Sequence, residues 1–368
     1  MKALGIMSGT SLDGIDVVLA EIEGSFTNTT IKELAFKTYP LKLKDKLSTL
    51  MREDIKIKAL TEANFELSKA YSEAINDLLS NNRLSYKDIT FIASHGQTIY
   101  HSPKTGSTLQ IGCGSVLANL TNILVVSNFR NADMAVGGQG APLVPYMDYC
   151  LFTHKTVDRI LLNIGGISNI TYLKKGGTLD EVIAFDTGPG NMMIDYMMMH
   201  FYNKPYDSEG KVAKEGKLIP ELLNELMALD YIKKPYPKST GRELFGESMC
   251  LDILKKYQHK QDIIHTLTYF TKESIISGIK QVTQQDIEII VSGGGVHNDY
   301  LMSLLKEAYP KTTTTKTYGI NPDSKEALAF IMLGNETLKH NPSNVKSATG
   351  ASKYVILGQI SPIGGQDD

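Results

Sequence analysis

A Gly-rich hairpin signature that occurs twice limits the fold of this chain more than any other feature. The first copy is Gly5-Ile6-Met7-Ser8-Gly9-Thr10-Ser11-Leu12-Asp13-Gly14-Ile15-Asp16, set between the apolar runs Lys2–Ile6 and Ile15–Ile22. The second is the run from Arg159 through Asn163-Ile164-Gly165-Gly166-Ile167-Ser168-Asn169 to Leu173. Short β-branched runs around Gly, Ser, Thr, Asn and Asp predict hairpins. Each copy leads a half of the chain that continues with strands and helices. Two similar α/β lobes facing each other would set two Gly-rich turns across one cleft. The first turn offers backbone N–H groups and hydroxyls to an anion, and Asp13 and Asp16 would hold a metal close by. That combination suggests a nucleotide-using enzyme; an ordinary hairpin with a polar turn is the alternative.

Further strand-like runs are Ile89–Ser94, Thr108–Ile111, Ile123–Ser127, Val182–Asp186, Ile287–Ser292 and Tyr354–Leu357. Helical patterns fall between them. In Thr61–Ser80, Leu67, Tyr71, Ala74, Ile75, Leu78 and Leu79 make one apolar face, with Thr61 as the expected N-cap. Others are expected at Met192–Tyr202, Pro220–Leu229, Glu243–Tyr257, His265–Val282, Asp299–Ala308 and Lys325–Lys339. The mixture predicts an α/β protein. Gly137–Pro142 is the best candidate for a crossing between lobes.

At 368 residues the chain has room for two domains. A net charge of −2 leaves no footprint for nucleic acid or an acidic membrane surface. No signal peptide and no membrane-length apolar run is visible. Cys113, Cys150 and Cys250 match no zinc spacing and no disulfide framework, so a cytoplasmic location is expected.

Three more clusters carry chemistry. Phe185-Asp186-Thr187-Gly188-Pro189-Gly190-Asn191 places Asp186 at the end of an expected strand, where ligands of α/β sheets gather. A carboxylate there can take a proton from a nucleophile; capping the Met192–Tyr202 helix is the competing role. Ser292-Gly293-Gly294-Gly295-Val296-His297-Asn298 follows a buried-type strand and lacks the third glycine of a dinucleotide fingerprint, so an adenosine pocket fits better. Ser94-His95-Gly96-Gln97-Thr98 and Ser127–Met134, with Arg130 and Asp133, suit a sugar bearing hydroxyl, amide and carboxylate groups. His95 is equally readable as a structural histidine.

In order along nearly the whole chain, these segments resemble the anhydro-N-acetylmuramic acid kinase family of the sugar-kinase, heat-shock-chaperone and actin superfamily. The segments are Met7–Asp16, Ser94–Pro103, Phe129–Pro145, Asn163–Thr171, Phe185–Asn191, Ser292–Asn298 and Glu326–Phe330. The resemblance implies two ribonuclease-H-like lobes around a nucleotide cleft, one formed by residues 1–130 and 342–368, the other by 131–341. It makes Gly9, Thr10, Ser11, Leu12, Asp13, Gly14, Ile15 and Asp16 the first phosphate loop. Asn163, Gly165 and Gly166 become the second, and Gly293, Gly294, Gly295 and Asn298 the adenosine motif. Asp186 matches the catalytic base. His95, Gln97, Thr98, Arg130, Asp133 and Glu326 fall on the sugar side. Mg2+ would sit near Asp13 or Asp16, largely through phosphates and water. The implied reaction uses ATP and 1,6-anhydro-N-acetylmuramic acid, in cell-wall recycling, with lobe closure to exclude water. A kinase for another amino sugar or hexose and a nucleotide-driven binding ATPase are the competing readings. No nucleic-acid or membrane partner is expected; a homodimer is left open.

Overall fold

A computed structural model describes residues 1–9, 12, 14–51 and 55–364 of the chain. Its described strands are β1 Lys2–Ser8, β2 Ile15–Glu23, β3 Thr30–Tyr39, β4 Phe91–Ser102, β5 Ser107–Ile111, β6 Val125–Ser127, β7 Asp158–Ile164, β8 Ile167–Leu173, β9 Ile183–Pro189, β10 Ile287–Ser292, β11 Thr312–Thr314 and β12 Gln359–Ser361. The chain divides into two compact units, Met1–Leu151 with Ser324–Asp368, and Phe152–Asp323.

The two units repeat one topology. The first sheet runs β12-β6-β4-β1-β2-β3, with β5 paired to β4; the second runs β11-β10-β7-β8-β9. In each, three antiparallel strands formed by the Gly-rich hairpin and its successor are followed by two parallel additions. With β5 and β12 set aside, the order counted within a unit is third, second, first, fourth, fifth in both. This is the ribonuclease-H-like order, and it accounts for the repeated hairpin signature.

In the first unit, Leu67, Tyr71, Ile75, Leu78 and Leu79 of the Ile57–Asn81 helix are buried together with Leu4, Ile6, Val17 and Leu19 of the sheet. The helix starts four residues before the expected cap. The Thr61 hydroxyl instead donates to the Ile57 carbonyl from within the first turn. On another side of β1, the Lys325–Leu338 helix approaches the backbone directly. A Cβ at Gly5 would stand 2.2 Å from the Ala327 carbonyl oxygen. Gly5→Ala must therefore push that helix away, and overpacking of this kind costs about 1–3 kcal/mol. Urea unfolding should register the loss; an unchanged midpoint would mean the helix yields freely.

Several expectations are corrected. The unit boundaries fall at 151/152 and 323/324, not at 130/131 and 341/342. The reason is the Lys325–Leu338 helix seated on Gly5, together with Asp133. The Asp133 carboxylate accepts from the Gly140 amide (2.8 Å), Asn344 Nδ2 (3.0 Å) and the Thr349 hydroxyl (2.8 Å). It gathers Gly137–Pro142 inside the first unit, so that passage is not the crossing. Tyr354–Leu357 is not a strand: its Val355 amide donates to Asn344 Oδ1, and the Ser343 amide to the Val355 carbonyl. β3 went unexpected because its faces carry Lys, Glu and Thr beside few apolar groups, as suits an edge strand. β9 continues past Asp186 to Pro189.

Candidate active site

In the first unit the opening hairpin turns between Ser8 and Ile15. Thr10, Ser11 and Asp13 lie outside the described residues. Leu12 takes a left-handed conformation (φ 59°), and its side chain is buried in the core, as is that of Ile15. These two anchor the turn, and any ligand contact they make is through the main chain. The Gln97 carboxamide donates to the Gly9 carbonyl at 3.2 Å. Its buried Oε1 has no partner among the described residues. Gln97 thus braces the turn after Ser8 through its amide nitrogen, with its carboxamide oxygen left unspent. Thr98 accepts from Gln110 Nε2 across the β4–β5 pair. Asp133 is wholly committed to the clamp described above.

Four expected groups do come together. His95 is buried; its Nδ1–H donates to the Gly96 carbonyl (2.8 Å), while Nε2 accepts from Arg130 Nε (3.1 Å) and Nη2 (2.8 Å). Those partners assign a neutral tautomer. Burial, reinforced by the Arg130 charge, holds the imidazole well below its ordinary range. Arg130 also donates Nη1 to the Gly140 carbonyl at 2.7 Å. Its guanidinium therefore spends its hydrogen bonds on neutral acceptors. Burial lowers Arg130 to about 10, and Glu326 acts in the opposite sense. Burial and then the Asp16 charge push the Glu326 carboxyl up, against the pull of Lys325 and Arg130. Asp16 itself accepts from the Thr38 hydroxyl at 2.5 Å. The result is one polar wall of Asp16, Glu326, Arg130 and His95. It depends on the close seating of the Lys325–Leu338 helix that Gly5 permits.

The second unit builds a row across its sheet. Ser292 on β10 lies opposite Asn163 on β7, Asn163 opposite Asn169 on β8, and Asn169 opposite Asp186 on β9. Directly opposed residues share a face, so these four polar side chains line one level of the sheet. The Gly165-Gly166 turn beside them is pinned by the β9–helix junction: the Gly190, Asn191 and Met192 amides donate to its two carbonyls. A Cβ at Gly190 would stand 2.2 Å from the Gly165 oxygen. The Gly-Pro-Gly-Asn sequence after Asp186 therefore serves that close approach.

Asp186 is partly exposed and does not cap the following helix, whose cap residue is Asn191. Its Oδ2 accepts from the Thr240 amide at 3.0 Å. Burial raises its carboxyl to about 6; the Thr240 N–H opposes that rise, and the Glu243 charge adds to it. A carboxylate tuned there is suited to general-base work near neutral pH.

The glycine triplet divides by role. Gly293 has φ 81° and, with Gly295, packs against Ile164; Gly294 has no atom within 4 Å of where its Cβ would be. Gly294 is thus the one residue of the triplet whose Cβ position is uncrowded. Asn298 is committed within the fold: its Oδ1 accepts from the Leu301 amide and caps the Asp299–Ala308 helix.

A family model described as anhydro-N-acetylmuramic acid kinase matches residues 1–363. The chain belongs to the anhydro-N-acetylmuramic acid kinase family. A relative of that name from Clostridioides difficile (strain 630) is 44% identical over 98% of each chain. Another from Francisella tularensis subsp. novicida (strain U112) is 45% identical over 97% of this chain and 98% of its own. Among solved structures, the activator of the 2-hydroxyisocaproyl-CoA dehydratase from Clostridium difficile with bound ADPNP is 12% identical, with a TM-score of 0.48. It covers 92% of this chain and 96% of that one.

As a member of that family the protein is a phosphotransferase. Sequence reasoning missed several of its candidate site groups. Asn169 and Ser292 lay inside recognised motifs but gained meaning only through strand register. Tyr231, Lys238, Thr240 and Glu243 reach Asp186 from a segment with no motif at all. Lys325, 2.7 Å from Asp148 with both side chains buried, bears on Glu326 from the preceding position. No helix of the described residues is long and apolar enough to cross a membrane.

Proposed function

We propose that the protein couples hydrolytic opening of 1,6-anhydro-N-acetylmuramic acid to phosphorylation of O6 by ATP, with Asp186 as the base. The anhydro sugar poses a specific problem, because its O6 is bonded to the anomeric carbon and carries no proton to remove. Asp186 takes a proton from water; the water oxygen bonds to the anomeric carbon, and the bond from that carbon to O6 breaks. The freed O6 attacks the γ-phosphorus, and the bond from that phosphorus to the bridging oxygen of ADP breaks. The products are N-acetylmuramic acid 6-phosphate and ADP. The observation that carries this reading is the Asp186 carboxyl, raised to about 6 and held by one backbone amide beside the polar row.

Gly9–Asp16 and Asn163, Gly165 and Gly166 act as the phosphate turns, and Gly294 lies at the adenosine side. Arg130, His95 and Glu326 meet the sugar, with the guanidinium facing its carboxylate. Asp133 and Asn298 act from within the fold. Mg2+ fits beside Asp16: that carboxylate already burdens Glu326 with like charge, which a cation relieves. Among the described residues no cluster of three or more His, Cys, Asp or Glu forms a cage, so the ion would keep phosphate and water ligands. When bound, it offsets charge developing on the transferred group. We place the reaction in the cytoplasm, in keeping with three free cysteines.

Mass spectrometry of the product formed in water enriched in heavy oxygen tests the reading. One phosphoryl group, one added water and the heavy oxygen at the anomeric carbon are expected. Phosphorylation only of sugars with a free hydroxyl, without isotope uptake, would remove water activation from Asp186.

A further inference from the structure

We propose that the segment from Tyr231 to Glu243 is a positioning strap for Asp186, with Tyr231 and Lys238 as its positioning residues. The inference rests on the assignment of Asp186 as the base. The strap begins 45 residues beyond Asp186 in sequence. It nevertheless holds the aspartate at three points. The Tyr231 hydroxyl donates to the Asp186 carbonyl (2.7 Å), the Asp186 amide to the Lys238 carbonyl (3.2 Å), and the Thr240 amide to Oδ2 (3.0 Å). With Oδ2 tied, Oδ1 is the oxygen that receives the water proton.

The strap is closed on itself. Lys238 Nζ donates to the Tyr231 carbonyl at 3.1 Å and the Ile232 carbonyl at 3.3 Å. The same ammonium lies 4.9 Å from the Tyr231 ring centre and 5.8 Å from that of Phe185, the residue before the base. Tyr236 stacks on Phe185 at 5.3 Å, and Tyr231 meets buried Phe245 edge-on at 5.7 Å. Lys238 is only 6% exposed. A methionine would fill that space with a smaller desolvation cost. Burial accordingly makes the ammonium easier to deprotonate. A charged group kept in that setting, donating to the carbonyls at the root of the strap, is explained by the need to fix the strap's course past Asp186.

The strap also sets the charge around the base. Glu243 is exposed, and its negative charge disfavours a second one on Asp186; the Thr240 amide favours it. Tyr231 is the other titratable group of the strap that faces the aspartate. Lys238 turns its ammonium to the carbonyls and rings already described. From β8 the opposed residue is Asn169, and from the Lys260–Val282 helix Ser274 and Gly278 meet the 187–188 end of β9.

The test is the pH profile of kcat for Tyr231→Phe, Lys238→Met and Glu243→Gln in the full chain, with Mg-ATP and the anhydro sugar, beside Asp186→Asn. Tyr231→Phe should lower kcat about 3- to 10-fold, the kinetic equivalent of one lost hydrogen bond, and Lys238→Met, which loses two, at least as much, with nucleotide KM unchanged. Removing the Glu243 charge should let Asp186 stay ionised to lower pH, so Glu243→Gln moves the acid limb downward. If Asp186→Asn is inactive while all three variants keep the wild-type kcat and acid limb, the strap is overturned and the base stands. If Asp186→Asn turns over normally, the base assignment itself falls. Should Lys238→Met fail to fold, the other two, which remove one hydroxyl and one exposed charge, decide the matter.

Discussion

Asp186→Asn should lose at least about a hundredfold in kcat, the lower end of what general-base assistance contributes, while ATP still binds. The substitution is nearly isosteric, and the groups that fix the aspartate main chain, the Tyr231 hydroxyl and the Lys238 carbonyl, are untouched. The Thr240 amide can still meet the carboxamide oxygen. What disappears is the ability to accept a proton. The pH dependence gives a second reading of the same group. Burial raises the Asp186 carboxyl to about 6, so the base form dominates above that value and is titrated away below it. Wild-type kcat should therefore fall as pH drops through about 6, and the residual rate of the variant should lack that limb. Steady-state kinetics over that range, with calorimetric titration of a non-hydrolysable nucleotide, checks both. A variant within threefold of wild type would dismiss Asp186 as the base, and a flat wild-type profile would point to a different titrating group.

The contrast between Asp186 and its strap shows what the chain states openly and what it hides. Hairpins, glycine turns and the apolar faces of long helices rest on local pattern, and local pattern is visible in one dimension. The repeated hairpin therefore foretold two copies of one topology. The carboxylate itself could be found because it sits within a strand that runs into a Gly-Pro-Gly segment. Its surroundings could not, since Thr240 contributes only a backbone N–H, which every residue but proline possesses. Lys238 looks like any surface lysine until its burial is known. Conversely, Asp133 and Asn298 are polar residues inside recognised motifs that nevertheless serve the fold. Each satisfies buried main-chain or side-chain groups: Gly140, Asn344 and Thr349 for the first, Leu301 for the second. A motif marks a region where polarity is required, and the hydrogen-bond partners decide whether ligand or protein requires it.

Arg130 is where that distinction has the largest consequence for the sugar. Its guanidinium donates to the His95 imidazole and the Gly140 carbonyl, and neither neutralises it. Glu326 is the acidic neighbour, and burial pushes its carboxyl toward the neutral form, so the deeply seated cation favours an incoming anion, and the acceptor sugar carries a carboxylate. Arg130→Met keeps much of the side-chain volume and removes the charge. Removing one partner of a desolvated, hydrogen-bonded charge pair costs about 2–5 kcal/mol, so sugar KM should rise by about 30-fold or more. Nucleotide affinity should hold, because the glycine turns are unaltered. Arg130→Lys should fall between the two, retaining a point charge but losing the planar fork that reaches His95 through two nitrogens. Melting temperatures of both variants separate a binding defect from unfolding, since His95 Nε2 loses its donors in the methionine form. Raised nucleotide Kd with unchanged sugar KM would move Arg130 from the sugar to the phosphates. The discriminating substrate is an anhydro sugar without the carboxylate. If the guanidinium meets that group, wild type should bind the shortened sugar about as poorly as Arg130→Met binds the intact one, and the substitution should add little further loss.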